Sequence, residues 1–192
     1  MKRVLLDYDN TICNFSKGMF EKWNSLPEFN KYCHVELSDI TEYRLHNCLS
    51  NLGLSIDKAF ELLDKFWHVE NFYQDHYYNM NCRNSILNIL KELKNKGYLI
   101  ELNTLCPSKE LIHSKMRRIS NDIELLNNID DIHVILFDGR TMSNKSFNYD
   151  IIIEDNPIYI EEYLKNNPDG RVYMPLWKYN EDLTSNLRVF AL

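Results

Sequence analysis

The sequence has no long apolar run and no regular cysteine spacing. No stretch approaches the roughly 18 uninterrupted apolar residues that a membrane-spanning helix needs, and no signal peptide precedes the first apolar segment. The cysteines are odd in number and contain no Cys-x-x-Cys pair, which argues against a disulfide framework or a zinc knuckle. They are Cys13, Cys33, Cys48, Cys82 and Cys106. We therefore expect reduced thiols, a cytoplasmic location and no membrane association.

Positive charge is also scarce. Lys and Arg number 22 against 28 Asp and Glu, so the formal net charge is -6. Because a nucleic-acid polymer is held mainly by an excess of Lys and Arg along one face, this balance argues against such a partner. A small phosphorylated ligand stays compatible, since it needs only a few local positive groups, often together with a metal ion.

The composition is otherwise that of an ordinary globular protein. The chain has 192 residues, of which 44% are hydrophobic and 26% are charged. This length fits one domain, with room for a lobe inserted into it. The sequence shows no internal repeat and no low-complexity tract.

Short apolar segments alternate with amphipathic helical patterns along most of the chain. We predict strands at 3–8, 98–103, 132–137, 150–153 and 171–174, and helices at 86–93, 109–127 and 158–164, the first of these helices ending near Gly97. Strands that alternate with helices are typical of parallel βαβ units. The predicted fold class is therefore α/β, a Rossmann-like three-layer α/β/α arrangement around a parallel sheet.

The segment 16–78 differs from the rest of the chain. It contains helical patterns such as Ala59, Leu62, Leu63 and Phe66, and no convincing strand. We interpret it as a small helical cap inserted after the first strand. The predicted division is thus a core of residues 1–15 and 79–192 and a helical insertion of residues 16–78.

Polar residues follow or precede several of the predicted strands. They are Asp7 and Asp9, Thr104, Lys145, and Glu154 and Asp155. Each alone is weak, because a pattern such as Asp-x-Asp-x-Thr also arises by chance, but ligands of open α/β sheets bind at the carboxyl ends of the strands. The order and placement of these residues therefore predict one site.

The first motif of the haloacid dehalogenase-like superfamily resembles the segment 7–11, which reads DYDNT. Thr104, Lys145 and the pair at 154–155 resemble the remaining three motifs, in the family order. The resemblance spans nearly the whole chain as a framework, and the insertion resembles the small cap that follows the first motif. It implies a magnesium-dependent phosphatase that works through an aspartyl-phosphate intermediate.

The chemistry of the two first carboxylates agrees with this resemblance. Asp7 would attack phosphorus, and a metal ion would offset the repulsion between the two anions. Asp9 would act as general acid and later as base, a contribution typically worth about 10² to 10⁴-fold.

Magnesium suits an all-oxygen site, and we expect Asp7, Asp155 and the backbone carbonyl of Asp9 to bind it. Glu154 is either an outer partner or a substitute ligand. Thr104 and Lys145 would hold the phosphoryl oxygens. We also expect backbone N–H groups of the loop at Asn10 to contact phosphate, because Asn tolerates the turn that this requires.

A closer resemblance is to the 5'(3')-deoxyribonucleotidases. It rests on the spacing from Asp7 to Phe15 and on Lys145 followed by the segment 151–157, IIIEDNP. The resemblance implies a nucleoside monophosphate as substrate, with Phe15, Phe66 and Trp67 around the base. It also implies that Arg140 helps to hold phosphate. Two departures are Asn10, where the family usually has Gly, and Glu154, where an Asp is expected.

Several alternatives stay open at this point. Asp7 and Asp9 could lie in a solvated turn, Thr104 could simply end a strand, Lys145 could belong to a surface loop, and Asp155 could cap a helix that starts at Pro157. The aromatic residues of the insertion could be its core. At the level of function, the alternatives are a phosphatase of small metabolites such as sugar phosphates and a non-catalytic binding protein with the same fold. The sequence also leaves a homodimer open.

Overall fold

The structure is a computed structural model that describes residues 1–69, 72–75, 78–136 and 148–192. Its centre is a six-stranded sheet in the order β3-β2-β1-β4-β5-β6, and every neighbouring pair is parallel. The strands are β1 (Arg3–Leu6), β2 (Leu99–Cys106), β3 (Asp131–Leu136), β4 (Ile151–Ile153), β5 (Arg171–Met174) and β6 (Val189–Ala191). This order, with β1 and β4 adjacent at the centre, is that of the doubly wound folds.

Successive side chains of a strand point to opposite faces of the sheet. Val4 and Leu6 accordingly join one hydrophobic cluster and Leu5 joins a second cluster on the other face. Helices supply side chains to both clusters. The α-helices are α1 (Phe15–Ser25), α2 (Pro27–Asn30), α3 (Leu45–Asn51), α4 (Ile56–Phe66), α5 (Phe72–Asp75), α6 (Arg83–Asn95), α7 (Lys109–Ser120), α8 (Ile123–Leu126) and α9 (Pro157–Asn166). The predicted three-layer α/β/α fold class is confirmed.

The described part of the insertion contains α1 to α5, a 3₁₀ helix at Leu37–Asp39 and no strand. Trp23, Phe29 and Phe66 pack together within it, with ring centroids 4.9 to 5.9 Å apart. These rings belong to the same hydrophobic cluster as Val4 and Leu6 of the sheet. The division into a core and a cap stays a prediction.

Several element boundaries differ from the predicted ones. The predicted helix 109–127 is two helices, because the Asp122 side chain accepts a hydrogen bond from the backbone N–H of Leu125 and so starts α8 anew. β2 extends beyond 103, so Thr104 lies inside the strand. The 3₁₀ helix at Glu181–Ser185 and strand β6 were not predicted. Gly97 follows α6 with φ 79°, as expected of a glycine past a helix end.

None of the helices in the described ranges has both the length and the apolar character that crossing a membrane requires.

Candidate active site

Three carboxylates meet at the carboxyl edge of the sheet. Leu6 of β1 pairs with Leu102 of β2 and Ile153 of β4, so the residues that follow these strands reach the same edge. The backbone N–H of Asp7 continues the ladder by donating to the carbonyl of Ile153 at 2.9 Å. As a result, carboxylate oxygens of Asp7, Glu154 and Asp155 all lie within 4.8 Å of one another, and all three residues are buried.

Hydrogen bonds orient two members of this carboxylate group. The Tyr179 hydroxyl donates to Asp155 Oδ2 at 2.5 Å, and the Thr11 hydroxyl donates to Asp155 Oδ1 at 3.3 Å. Glu154 Oε1 accepts from the backbone N–H of Asn156 at 3.1 Å. Buried like charges at this separation repel each other, and oxygen ligands of this kind suit Mg²⁺. The three side chains therefore fit a magnesium ion, with Glu154 as a member of the donor set.

Asp155 is not the cap of α9, so the alternative of a capping role is wrong. The cap is Asn156, whose Oδ1 accepts from the backbone N–H of Ile158 at 3.0 Å, with Pro157 at the first helical position. Asp155 precedes the helix, and its side chain points into the carboxylate group. Asn156 thus begins the helix, while the side chain of Asp155 lies in the three-carboxylate group.

The loop after β1 is held by Asn10, which has a left-handed backbone with φ 55°. Its side chain donates from Nδ2 to Ser16 Oγ and accepts at Oδ1 from the backbone N–H of Ser16, both at 2.9 Å. Its carbonyl accepts from Trp177 Nε1 at 3.0 Å. The turn conformation expected of Asn10 is present, and Asn here combines tolerance of a positive φ with side-chain hydrogen bonds to Ser16 and, at 3.5 Å, to the Tyr179 hydroxyl.

We expect Asn10→Ala to lower the free energy of unfolding by about 2 to 3 kcal/mol, because it loses hydrogen bonds and keeps a strained φ. Asn10→Gly loses the same hydrogen bonds, but glycine adopts a positive φ without strain. Its loss of unfolding free energy should therefore be about 1 kcal/mol smaller. Urea denaturation of both variants measures the difference. An Asn10→Gly protein that is less stable than Asn10→Ala would show that the backbone conformation is not what selects this residue.

Asp9 is not a member of the three-carboxylate group. Its Oδ1 and Oδ2 accept from the Tyr73 hydroxyl at 2.8 and 3.0 Å, and its Oδ2 accepts from Lys115 Nζ at 2.6 Å. The Lys115 side chain has no exposed surface, whereas that of Asp9 is 24% exposed. Asp9 therefore accepts hydrogen bonds from a buried ammonium group of α7 and from a phenol hydroxyl of α5.

Lys115 has all three ammonium protons committed. Besides Asp9, its Nζ donates to Thr104 Oγ1 at 2.9 Å and to the carbonyl of Leu105 at 2.8 Å. A lysine has three donors and no acceptor. Because Thr104 Oγ1 accepts from Lys115, the hydroxyl proton of Thr104 remains for another acceptor in the adjoining cavity.

Burial and electrostatic attraction together set the protonation of Asp9, Lys115 and Tyr73. Burial raises the pKa of the Asp9 carboxyl more than the attraction of Lys115 lowers it, so the net shift is upward. Burial lowers the pKa of the Lys115 ammonium, but the combined interactions with Asp9, Cys106 and Asp7 outweigh burial, and that pKa is also raised. Burial raises the pKa of the Tyr73 phenol well above its ordinary value. Lys115 and Tyr73 thus stay protonated donors.

The three-carboxylate group, Asp9 and Thr104 open onto one cavity of about 190 Å³. Polar, aromatic and leucine side chains from both the predicted core segments and the predicted insertion line it. They are Asp7, Asp9, Asn10, Phe15, Ser16, Tyr43, Leu45, Thr104, Leu105, Glu154, Asp155 and Tyr159. The cavity brings the candidate carboxylates, Thr104 and aromatic rings together in one place.

The other predicted binding residues have different positions. Phe66 is 1% exposed within the aromatic core of the insertion and does not line the cavity, so the alternative of a core residue describes it. Trp67 stacks on the cavity residue Phe15 with centroids 6.2 Å apart. Lys145 and Arg140 lie outside the described residues.

The sequence patterns did not single out Lys115, Tyr73 or Tyr179. For Tyr179 a sequence indication was available, because it follows β5, and residues that follow a parallel strand are near the carboxyl edge. It stacks on Trp177 with centroids 5.7 Å apart and contacts Tyr43 edge-on at the same distance.

No protein-family model matches the sequence, and no curated protein sequence matches it significantly. Solved structures do match. A candidate phosphoglycolate phosphatase from Lactobacillus plantarum superposes with a TM-score of 0.61 at 10% identity, covering 100% of this chain and 95% of that one. A candidate haloacid dehalogenase-like hydrolase from Bacteroides fragilis gives 0.60 at 13% identity, with coverages of 100% and 97%. A hydrolase from Pseudomonas syringae gives 0.58 at 11% identity, with coverages of 100% and 94%.

These similarities establish the fold. The chain has a Rossmann-like α/β fold like that of these structures, as the alternation of strands and helices predicted. At identities of 10 to 13% they do not establish a substrate.

Proposed function

We propose that this chain is a magnesium-dependent phosphomonoester hydrolase. The observation that carries the proposal is the buried group of Asp7, Glu154 and Asp155, which shares a cavity with the separately paired carboxylate of Asp9. Asp7, Glu154, Asp155 and the backbone carbonyl of Asp9 are the proposed metal ligands. A bound magnesium ion supplies positive charge that offsets the repulsion between carboxylates and phosphate.

The residues of the chain then have distinct roles. An Asp7 oxygen forms a bond to phosphorus while the ester P–O bond breaks, and the leaving oxygen keeps the electron pair and takes the proton of Asp9. In the second step a water oxygen bonds to phosphorus and gives a proton to Asp9, and the bond from Asp7 to phosphorus breaks. Asp7 and Asp9 are thereby restored, and the products are an alcohol and inorganic phosphate.

Thr104 and Lys145 are proposed to bind the phosphoryl oxygens. The hydrogen bond from Lys115 to Thr104 Oγ1 supports the role of Thr104, because it directs the Thr104 proton elsewhere. Lys115 itself is proposed to orient Asp9 and Thr104, since its donors are already used by protein acceptors.

For the leaving group we propose a nucleoside of a (deoxy)ribonucleoside monophosphate, which would make the chain a 5'-nucleotidase. The aromatic walls at Phe15, Tyr43 and Tyr159 support this choice, because flat rings stack well on a base. The burial of Phe66 in the hydrophobic core argues against a nucleoside, because this ring cannot contact a base there. A small-metabolite phosphatase is the second candidate, favoured by the modest cavity of about 190 Å³ and by the name of the Lactobacillus plantarum neighbour.

A substrate panel separates these candidates. The protein should release phosphate from at least one phosphate monoester in the presence of Mg²⁺ and lose that activity with EDTA. We expect nucleoside monophosphates to give a higher kcat/KM than sugar phosphates and phosphoglycolate, which are the other members of the panel. An assay of released phosphate measures each value. A preference for phosphoglycolate or sugar phosphates would reject the nucleotide proposal and keep the phosphatase. If no member of the panel releases phosphate, the phosphatase proposal is rejected and the alternative of a non-catalytic binding protein is left.

A further inference from the structure

The Asp9 carboxylate is held by two residues that belong to none of the four motifs. Lys115 reaches it from α7, and the Tyr73 hydroxyl lies within 3.0 Å of both its oxygens. Two donors that meet one carboxylate from different elements fix both its position and its rotation. Tyr73 belongs to the segment that we predict to be the cap.

Tyr73 is itself firmly placed. Its backbone N–H donates to Ser114 Oγ of α7 at 2.8 Å, and Lys115 Nζ lies 5.3 Å from the centre of its ring. The ring is 1% exposed and packs against Phe15 and Phe72, at centroid distances of 5.9 and 5.1 Å. The hydroxyl therefore has one defined direction, and that direction is toward Asp9.

We propose that Tyr73 is a positioning residue for Asp9, so that the predicted insertion takes part in proton transfer to the leaving group. The proposal rests on the proposed phosphatase function. Without the Tyr73 hydroxyl, Asp9 keeps Lys115 but loses the donor that spans both oxygens, and its carboxyl can rotate away from the leaving oxygen. Tyr73 contacts Asp9 and acts through it.

Leaving groups of different basicity test this role. An alkoxide needs a proton as the P–O bond breaks, whereas p-nitrophenolate is stable without one. The parameter kcat/KM covers the steps up to departure of the leaving group, so it reports this proton transfer without the later hydrolysis. We expect Tyr73→Phe to lower kcat/KM for glycerol phosphate about tenfold, a part of the usual general-acid contribution, and to change kcat/KM for p-nitrophenyl phosphate less than about twofold.

Two further variants sharpen the test. Asp9→Asn should lower kcat/KM for glycerol phosphate more than Tyr73→Phe does, and Tyr73→Phe should add less than about twofold in the Asp9→Asn background. Tyr78→Phe is the matched control, because it removes a hydroxyl that donates to Glu21 at the surface. This control should leave both substrates unaffected, and circular dichroism should show all variants folded.

The outcomes separate the two proposals. Equal losses on both substrates, no loss on either, or a full additional loss in the Asp9→Asn background would overturn the role of Tyr73 while phosphatase activity stands. If the wild type accepts only a member of the substrate panel, that ester replaces glycerol phosphate, and the effect of Tyr73→Phe in the Asp9→Asn background decides. A wild-type protein that hydrolyses no phosphate monoester with Mg²⁺ would overturn the proposed function and this inference together.

Discussion

Asp7→Asn should reduce phosphate release by at least about a thousandfold. The amide has nearly the same shape as the carboxylate, but it lacks the anionic oxygen that would bond to phosphorus. Loss of a nucleophile commonly removes much of the rate enhancement, because the remaining binding groups cannot replace it. Initial rates with the best substrate of the panel, at saturating Mg²⁺, measure the effect.

The control for this substitution is Asp64→Asn. This substitution makes the same chemical change at an exposed position of α4, and the activity of the Asp64→Asn variant should match that of the wild type. Acid quenching of the wild type during turnover should trap phosphate on the protein, and Asp7→Asn should trap none. Undiminished activity of Asp7→Asn would remove the aspartyl phosphate from the mechanism.

The central sheet could be predicted from sequence because its strands are continuous apolar runs. Residues 4–6 and 151–153 are apolar at every position, as expected of parallel strands that are covered on both faces. β6 was not predicted, although residues 189–191 are also apolar at every position. Phe190 and Ala191 are exposed, and a 3₁₀ helix rather than an amphipathic α-helix precedes this strand, so the alternation of strands and helices did not mark it.

The carboxylates of the site were predictable because each lies within three residues of the end of a strand. Lys115 was not, since its partner Asp9 is 106 positions away. Its helix also carries exposed basic residues such as Lys109 and Arg117. One local indication existed: Lys115 lies four residues from both Leu111 and Ile119, on the buried stripe of α7. A lysine on such a stripe requires a buried acceptor, but only the tertiary structure identifies which one.

The aromatic residues predicted to surround a base show a different limit. Phe15, at the end of the predicted first core segment, lines the cavity, whereas Phe66, in the insertion, lies in the hydrophobic core. Periodicity shows which residues are apolar and share a face, but a cavity wall and a core have the same composition. Only the relative placement of α1 and α4 distinguishes them.

Lys115→Met should lower the free energy of unfolding by about 3 kcal/mol. Met matches the length of the lysine and keeps its packing, but it leaves the Asp9 carboxylate without its buried cation, and breaking a buried pair typically costs 3–5 kcal/mol. We expect the lower end of this range because the Asp9 side chain is 24% exposed. Thr104 also loses its donor, so phosphate release should fall as well. Urea unfolding followed by circular dichroism measures the stability change.

A double-mutant cycle with Asp9→Asn separates loss of the pair from loss of packing. In Asp9→Asn/Lys115→Met no buried charge is left alone, so the double variant should be more stable than the sum of the two single losses predicts, by more than about 1 kcal/mol. Lys91→Met, on the exposed side of α6, is the matched control and should be within about 0.5 kcal/mol of the wild type. If the losses at Asp9 and Lys115 simply add, the ammonium is not what holds that carboxylate in place, and the orientation of Thr104 and Asp9 would need another cause.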